Sequence, residues 1–156
     1  MPEKLSEEDV KRLYITPAID RAGWSNYRME YFTDGRVHVS SNGVMTRGKR
    51  KYADYLLRYV NNTNLAIVEA KDEDHTPGQG LLQAIEYARL LNVPFAYSSN
   101  GHGFVEHDLI TGLERDLTMA EFPSPEVLRE RYVSEKNLTE EQLKLIECPF
   151  YTDPDF

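Results

Sequence analysis

The sequence predicts an α/β domain with a central mixed β-sheet flanked by helices. The text from Lys51 to Lys71 is aromatic and apolar on both sides of Asn61-Asn62-Thr63-Asn64, the pattern of two antiparallel strands joined by a turn. A helical period follows from about Leu81 to Asn92, and a short apolar run, Val93 to Ser99, comes directly after it. Strand, helix, strand with a crossover of this length is a βαβ unit, so Leu65–Lys71 and Val93–Ser98 are expected to be parallel.

At 156 residues, 40% hydrophobic and 28% charged, the chain has the bulk and balance of one globular domain. Its net charge of −8 argues against a broadly basic nucleic-acid binder, but not against a protein that grips phosphate through a carboxylate-held metal. No apolar run approaches the roughly 20 residues of a membrane span. The polar start Met1-Pro2-Glu3-Lys4 is not expected to act as a signal peptide. The single cysteine, Cys148, rules out an internal disulfide and fits a reducing cytoplasm.

Taken in order, Ser6 caps a helix whose first turn, Glu7-Glu8-Asp9, suits the helix dipole. Val10, Leu13, Tyr14, Ile15 and Ala18 give it an apolar side, Pro17 is expected to kink it or start a second one, and Gly23 stops it before the core anchor Trp24. Asn26–Phe32 and Gly35–Val39 read as a strand pair around the turn Thr33-Asp34-Gly35. Arg47-Gly48-Lys49-Arg50-Lys51 is a basic run: either a solvated strand edge or a phosphate contact. Residues 72–80 form a polar loop with Pro77, Gly78 and Gly80, expected to be mobile and able to close over a ligand. In the next helix Leu81, Ile85, Ala88 and Asn92 make a stripe for the sheet, with Gln83, Tyr87 and Leu90 roughly opposite. Phe104–Leu109 is a further strand. Ser124-Pro125 starts a helix through Tyr132, and Thr139-Glu140-Glu141-Gln142 is a capping box for another.

Three charges stand out in strand text: Asp54, Glu69 and Lys71. Glu69 and Lys71 share a face, since strand residues alternate. If the hairpin closes on Asn61-Asn62, Asp54 lies opposite Glu69; a shift by two sets it opposite Lys71, and a shift by one splits the trio. Two converging carboxylates suit Mg²⁺, and a lysine beside them could orient a water or offset phosphate charge; the same trio could instead be a cross-strand ion pair. His38, His75, His102 and His107 show no metal-binding spacing, and Gly78-Gln79-Gly80 is neither a P-loop nor a dinucleotide fingerprint.

Ala53-Asp54, then Val68-Glu69-Ala70-Lys71, then Gln83-Ala84-Ile85-Glu86-Tyr87 resembles the PD-(D/E)xK nuclease superfamily. Ile15-Thr16-Pro17 through Ala22-Gly23-Trp24, Tyr97-Ser98-Ser99-Asn100-Gly101 and Phe122-Pro123-Ser124-Pro125-Glu126 extend the likeness to the N-terminal nuclease domain of the R subunit of type I restriction-modification enzymes. Ala53 stands where the superfamily's name has proline, and Asp9 where the opening helix usually carries Glu. The resemblance implies a restriction-endonuclease-like core over residues 1–133 and a helical extension, 134–156, toward an ATP-dependent translocase. It implies that Asp54 and Glu69 bind Mg²⁺, that Lys71 is the catalytic lysine, and that Gln83 and Tyr87 are an accessory pair. Arg47, Lys49, Arg50 and Lys51 would then seat double-stranded DNA, with methyltransferase and specificity subunits as partners. Family R subunits are several times longer, so ATP use and translocation would belong to residues outside this sequence, which is expected to be a fragment or truncated copy. The alternative is a catalytically silent DNA-binding or assembly module of the same fold.

Overall fold

Two apolar faces of one sheet organise the domain. The computed structural model describes residues 5–33, 37–39, 45–47, 51–60 and 63–136, with backbone alone for 31–33, 37–39, 45–47, 51 and 52. Strands β1 (Tyr27–Thr33), β4 (Lys51–Arg58), β5 (Asn64–Ala70), β6 (Phe95–Ser99), β7 (Phe104–Asp108) and β8 (Glu114–Leu117) form a six-stranded sheet in the order β1-β4-β5-β6-β7-β8. β5 and β6 are parallel and the other neighbours antiparallel, as a βαβ unit within a mixed sheet requires. β2 (Val37–Val39) and β3 (Met45–Arg47) form a separate two-stranded sheet.

β5 carries apolar side chains on both faces, which is why its sequence shows no clean alternation. Ala66 and Val68 pack with Tyr55, Leu57, Trp24, Phe95 and Tyr97 on one side. Ile67 packs on the other with Leu56, Ala96 and helix α3 (Leu81–Leu91). α3 ends with Asn92 in the left-handed conformation, a stop that asparagine tolerates. Trp24 is a core anchor as expected: it is buried, and its indole N–H donates to the Pro123 carbonyl at 2.9 Å. Helix α4 (Pro125–Lys136) is clasped to β7 through Arg131, which reaches Glu106 at 3.0 Å and Asp108 at 3.2 Å. Glu106 also accepts from Tyr97 at 2.6 Å and Arg115 at 2.9 Å, so its buried charge is fully paired.

Several expectations need correction. β1 pairs with β4, not β2. The turn signal at residue 33 is local, but β4 offers the seven-residue β1 an eight-residue partner, where β2 offers three residues. Pro17 does lie in the first turn of a second helix, but a π-helical turn joins that helix to the first. Helix α1 (Glu7–Val10) continues through a π-helical turn (Lys11–Ile15) into α2 (Thr16–Arg21), and the Thr16 N–H bonds the Lys11 carbonyl. Proline cannot donate to the carbonyl four residues back, and the widened turn before it accommodates that loss. One extra residue per turn advances the phase, so Leu13 comes out to 43% exposure and Lys11 goes in. The loop 72–80 carries its own contacts: Asp72 accepts from the Asp74 N–H and contacts His75, Asn100 donates to the His75 carbonyl, and Glu73 accepts from the Leu5 N–H and contacts His102. Tyr87 is buried beside Ala84 and Ala88 instead of opposite the packing stripe, because α3 buries a wider face than one stripe. β8 has no counterpart in the sequence reading; α4 runs on to Lys136, and the capping box at Thr139 and Cys148 lie outside the described residues.

Candidate active site

Whether Asp54 meets Glu69 is decided by a bulge. Near the turn Arg58 pairs with Asn64, and the Tyr59 N–H donates to the Thr63 carbonyl at 2.8 Å, closing around a longer loop than the two-residue turn expected on Asn61-Asn62, which lies outside the described residues. Continued unbroken, that register would set Val68 against Asp54 and split the trio. The ladder slips by one residue between Leu57 and Arg58, and beyond it Leu57 pairs with Ala66, Leu56 with Ile67 and Tyr55 with Val68. The next step brings Asp54 to Glu69. There the side chain replaces the ladder: Asp54 Oδ2 accepts the Ala70 N–H at 2.8 Å, and its carboxyl lies within hydrogen-bonding reach of Glu69.

Lys71 follows β5 directly, and its N–H donates to the Ser99 carbonyl on β6 at 2.8 Å. Glu69 and Lys71 converge at Gly80, the N-cap of α3. A Cβ placed on Gly80 would lie 3.1 Å from Glu69 Cγ, 3.2 Å from Lys71 Cε and 3.0 Å from Ser98 Oγ, the atom to which the Gly80 N–H donates. The site therefore sits at the carboxyl ends of β5 and β6, the crevice where α/β sheets commonly hold ligands. Gly80→Val is expected to cost about 1–3 kcal/mol, since the added branches must displace side chains in a packed site. Urea unfolding of the variant against wild type measures it.

Glu69 is buried, and its Oε2 has no hydrogen-bond partner. Burial first, then the charge and hydrogen bond of Asp54, push its carboxyl up to about 9, against a smaller opposing pull from Lys71. An orphaned buried oxygen beside a second carboxylate is costly as it stands and suits a hard cation. Asp54 and Glu69 fit Mg²⁺, which takes one or two protein carboxylates and completes its shell with water and phosphate. Among the described residues no group of three or more His, Cys, Asp or Glu is placed to hold a metal.

The structure thus brings Asp54, Glu69 and Lys71 together. Gln83 and Tyr87 lie one turn apart on α3 and bond to each other, Gln83 Nε2 to Tyr87 Oη at 3.0 Å. Arg47 and Lys51 fall in β3 and β4, while Lys49 and Arg50, and the side chains of the whole basic run, lie outside the described residues. Sequence reasoning missed the first helix's part. Asp9 is occupied in a capping box with Ser6, whereas Glu7 borders the site: burial and the Asp54 charge raise its carboxyl, and Lys71 and Lys11 pull it down. Lys11 reaches Asp54 itself, at 3.4 Å. A lysine three and four residues after Glu8 and Glu7 was the available signal, but a regular helix period did not aim it inward.

A solved fragment assigned to an HsdR subunit of a type I restriction enzyme from Vibrio vulnificus YJ016 superposes with a TM-score of 0.80 and 39% identity, over 97% of this chain and 30% of that one. Fold and sequence together liken this chain to a mixed-sheet domain of a type I restriction enzyme subunit. The Type I restriction enzyme EcoAI endonuclease subunit of Escherichia coli is 39% identical over 157 residues, 96% of this chain. No family model matches. In sequence and fold the chain is similar to HsdR subunits, the endonuclease subunits of type I restriction enzymes. It spans 19% of the length of the curated relative.

Proposed function

We propose that this chain is the DNA-cleaving domain of a type I restriction enzyme, hydrolysing phosphodiesters of double-stranded DNA with Mg²⁺ in defence against foreign DNA. The observation that carries the reading is Glu69: a buried carboxylate with an orphaned oxygen, set against Asp54 and sharing the Gly80 contact point with Lys71. Asp54 and Glu69 would hold the metal. When bound, Mg²⁺ would polarise the scissile phosphate and lower the pKa of the attacking water. Lys71 would orient that water or offset the charge that builds on the phosphate. Gln83 and Tyr87, locked to each other on α3, would support the site from behind, and Arg47, Lys49, Arg50 and Lys51 would seat the backbone.

Recognition of the DNA sequence would come from specificity and methyltransferase subunits, and ATP-driven translocation from the rest of an R subunit, reached through residues 134–156. No helix among the described residues is long and apolar enough to cross a membrane, and the proposed place of action is the cytoplasm. Lys71→Ala in the intact restriction complex is expected to slow Mg²⁺-dependent cleavage on the order of a hundredfold, the usual worth of one positioned proton-handling or charge-stabilising group, while DNA binding persists. Unchanged cleavage would point instead to a silent binding or assembly module.

A further inference from the structure

Three local departures from regular structure meet at Asp54. Lys11 is only 2% exposed, a state that lysine adopts almost only when paired. Its ammonium lies 2.8 Å from Glu8, 3.4 Å from Asp54 and 3.6 Å from Glu30. The π turn begins at Lys11 itself, and such turns concentrate at functional positions. Across the sheet, Glu30 has a left-handed backbone, φ +52°, at the position that β1 presents to Asp54. The β1–β4 ladder pairs Met29 with Tyr55 and Tyr31 with Ala53, and skips this step between them. Strain of this kind persists where surrounding structure demands it. A buried lysine, a widened helix turn and a strained strand residue, from two elements, all face one carboxylate.

We propose that Lys11 is the resident cation of the Asp54–Glu69 site: a positioning residue that offsets the Asp54 charge before a divalent metal arrives and then competes with that metal for Asp54. The inference rests on the reading that Asp54 and Glu69 are the metal ligands. Burial alone disfavours the ammonium, but the bond to Glu8 and the charges of Asp54 and Glu8 outweigh it, so Lys11 keeps its charge. A fixed positive charge beside a ligand oxygen lowers the local negative potential, and a divalent ion entering the site feels that twice over. Lys11 would thus hold the metal-free fold together and set metal affinity below what two carboxylates alone would give.

The test uses Mn²⁺ alone as probe, with the free ion followed by its paramagnetic resonance signal and thermal melts run with and without the ion. Lys11→Met is expected to bind Mn²⁺ roughly tenfold more tightly, as removal of a nearby like charge requires. Its metal-free melting temperature should fall, and its metal-induced rise should exceed that of wild type. Lys11→Arg, which keeps the charge, should bind like wild type. If Lys11→Met does not fold, Lys11→Gln carries the same comparison with a polar side chain. Equal Mn²⁺ affinity in wild type and the neutral variants would reduce Lys11 to a structural ion pair and overturn the proposal. Weaker binding by a folded neutral variant would also overturn it, making Lys11 a prerequisite of the site and not a competitor. A wild-type chain that binds no Mn²⁺ would sink the metal reading itself, and the role of Lys11 with it.

Discussion

Glu69→Gln is expected to abolish DNA cleavage by the intact complex and, in the same variant, to make the metal-free chain more stable. Loss of a charged ligand removes several kcal/mol of transition-state charge stabilisation, which is on the order of a thousandfold or more in rate. The stability gain has a separate cause. In the wild type one Glu69 oxygen is buried without a partner, beside a carboxyl that repels its charge. A glutamine of the same shape needs no proton, carries no charge and can donate its amide to Asp54. That should be worth on the order of 1 kcal/mol, about 3 °C in melting temperature for a domain this size. Opposite changes in activity and stability are what a strained functional carboxylate predicts. A residue kept for packing would lose stability on substitution and leave cleavage alone. Scanning calorimetry in chelator at pH 8 and a plasmid cleavage assay decide between them.

The site was legible where charge interrupted strand text, and illegible where geometry overrode local rules. Asp54, Glu69 and Lys71 stood out because charges are rare in strands that read as buried on both faces. Their convergence needed an odd-sum register, which the structure reaches through a bulge at Leu57/Arg58 that no turn rule foretells. Lys11 was hidden for a related reason. A 3.6-residue period assigns faces correctly only while every turn is regular, and the π turn before Pro17 moved Lys11 inward and Leu13 outward. β1 was given the wrong neighbour because Thr33-Asp34-Gly35 is a strong local turn signal, whereas pairing with β4 is decided by distant apolar contacts. β8 went unread because Glu114-Arg115-Asp116-Leu117 is an exposed edge with one buried residue, so it lacks the alternation that marks a strand. The βαβ core, by contrast, was carried by long periodic segments, and its parallel pairing follows from connection length alone.

The metal-free chain should lose stability as pH rises from 6 to 9, and Mg²⁺ should cancel the loss. Glu69 titrates at about 9 in the fold and in the ordinary carboxylate range when unfolded. Between those values the folded chain holds a proton that the unfolded chain has released, so each rise in pH favours unfolding. The contribution is complete below the unfolded value and is lost as pH climbs to the folded one. One proton gives a slope of at most ~1.4 kcal/mol per pH unit. Glu135 is pushed up to about 7, by burial and by the neighbouring Asp108, so it adds the same sign only in the lower part of this range. Burial notwithstanding, Glu106 is held below the usual carboxylate range by hydrogen bonds from Arg131, Tyr97 and Arg115, and Asp108 by those of Glu135 and the Thr111 and Ile110 N–H groups, so both act only in acid. Lys11 is held above the ordinary lysine range and enters only at strongly alkaline pH. The segment from pH 7.5 to 9 therefore reports mainly Glu69. With saturating Mg²⁺ the carboxylate is needed unprotonated, so affinity rises with pH and offsets the intrinsic loss. Urea midpoints across this range, in chelator and in Mg²⁺, should diverge steadily as pH increases, and the divergence should vanish in Glu69→Gln. A wild-type midpoint that stays flat in chelator from pH 7.5 to 9 would mean that Glu69 already gives up its proton at neutral pH, and the buried unpaired oxygen would then need another explanation.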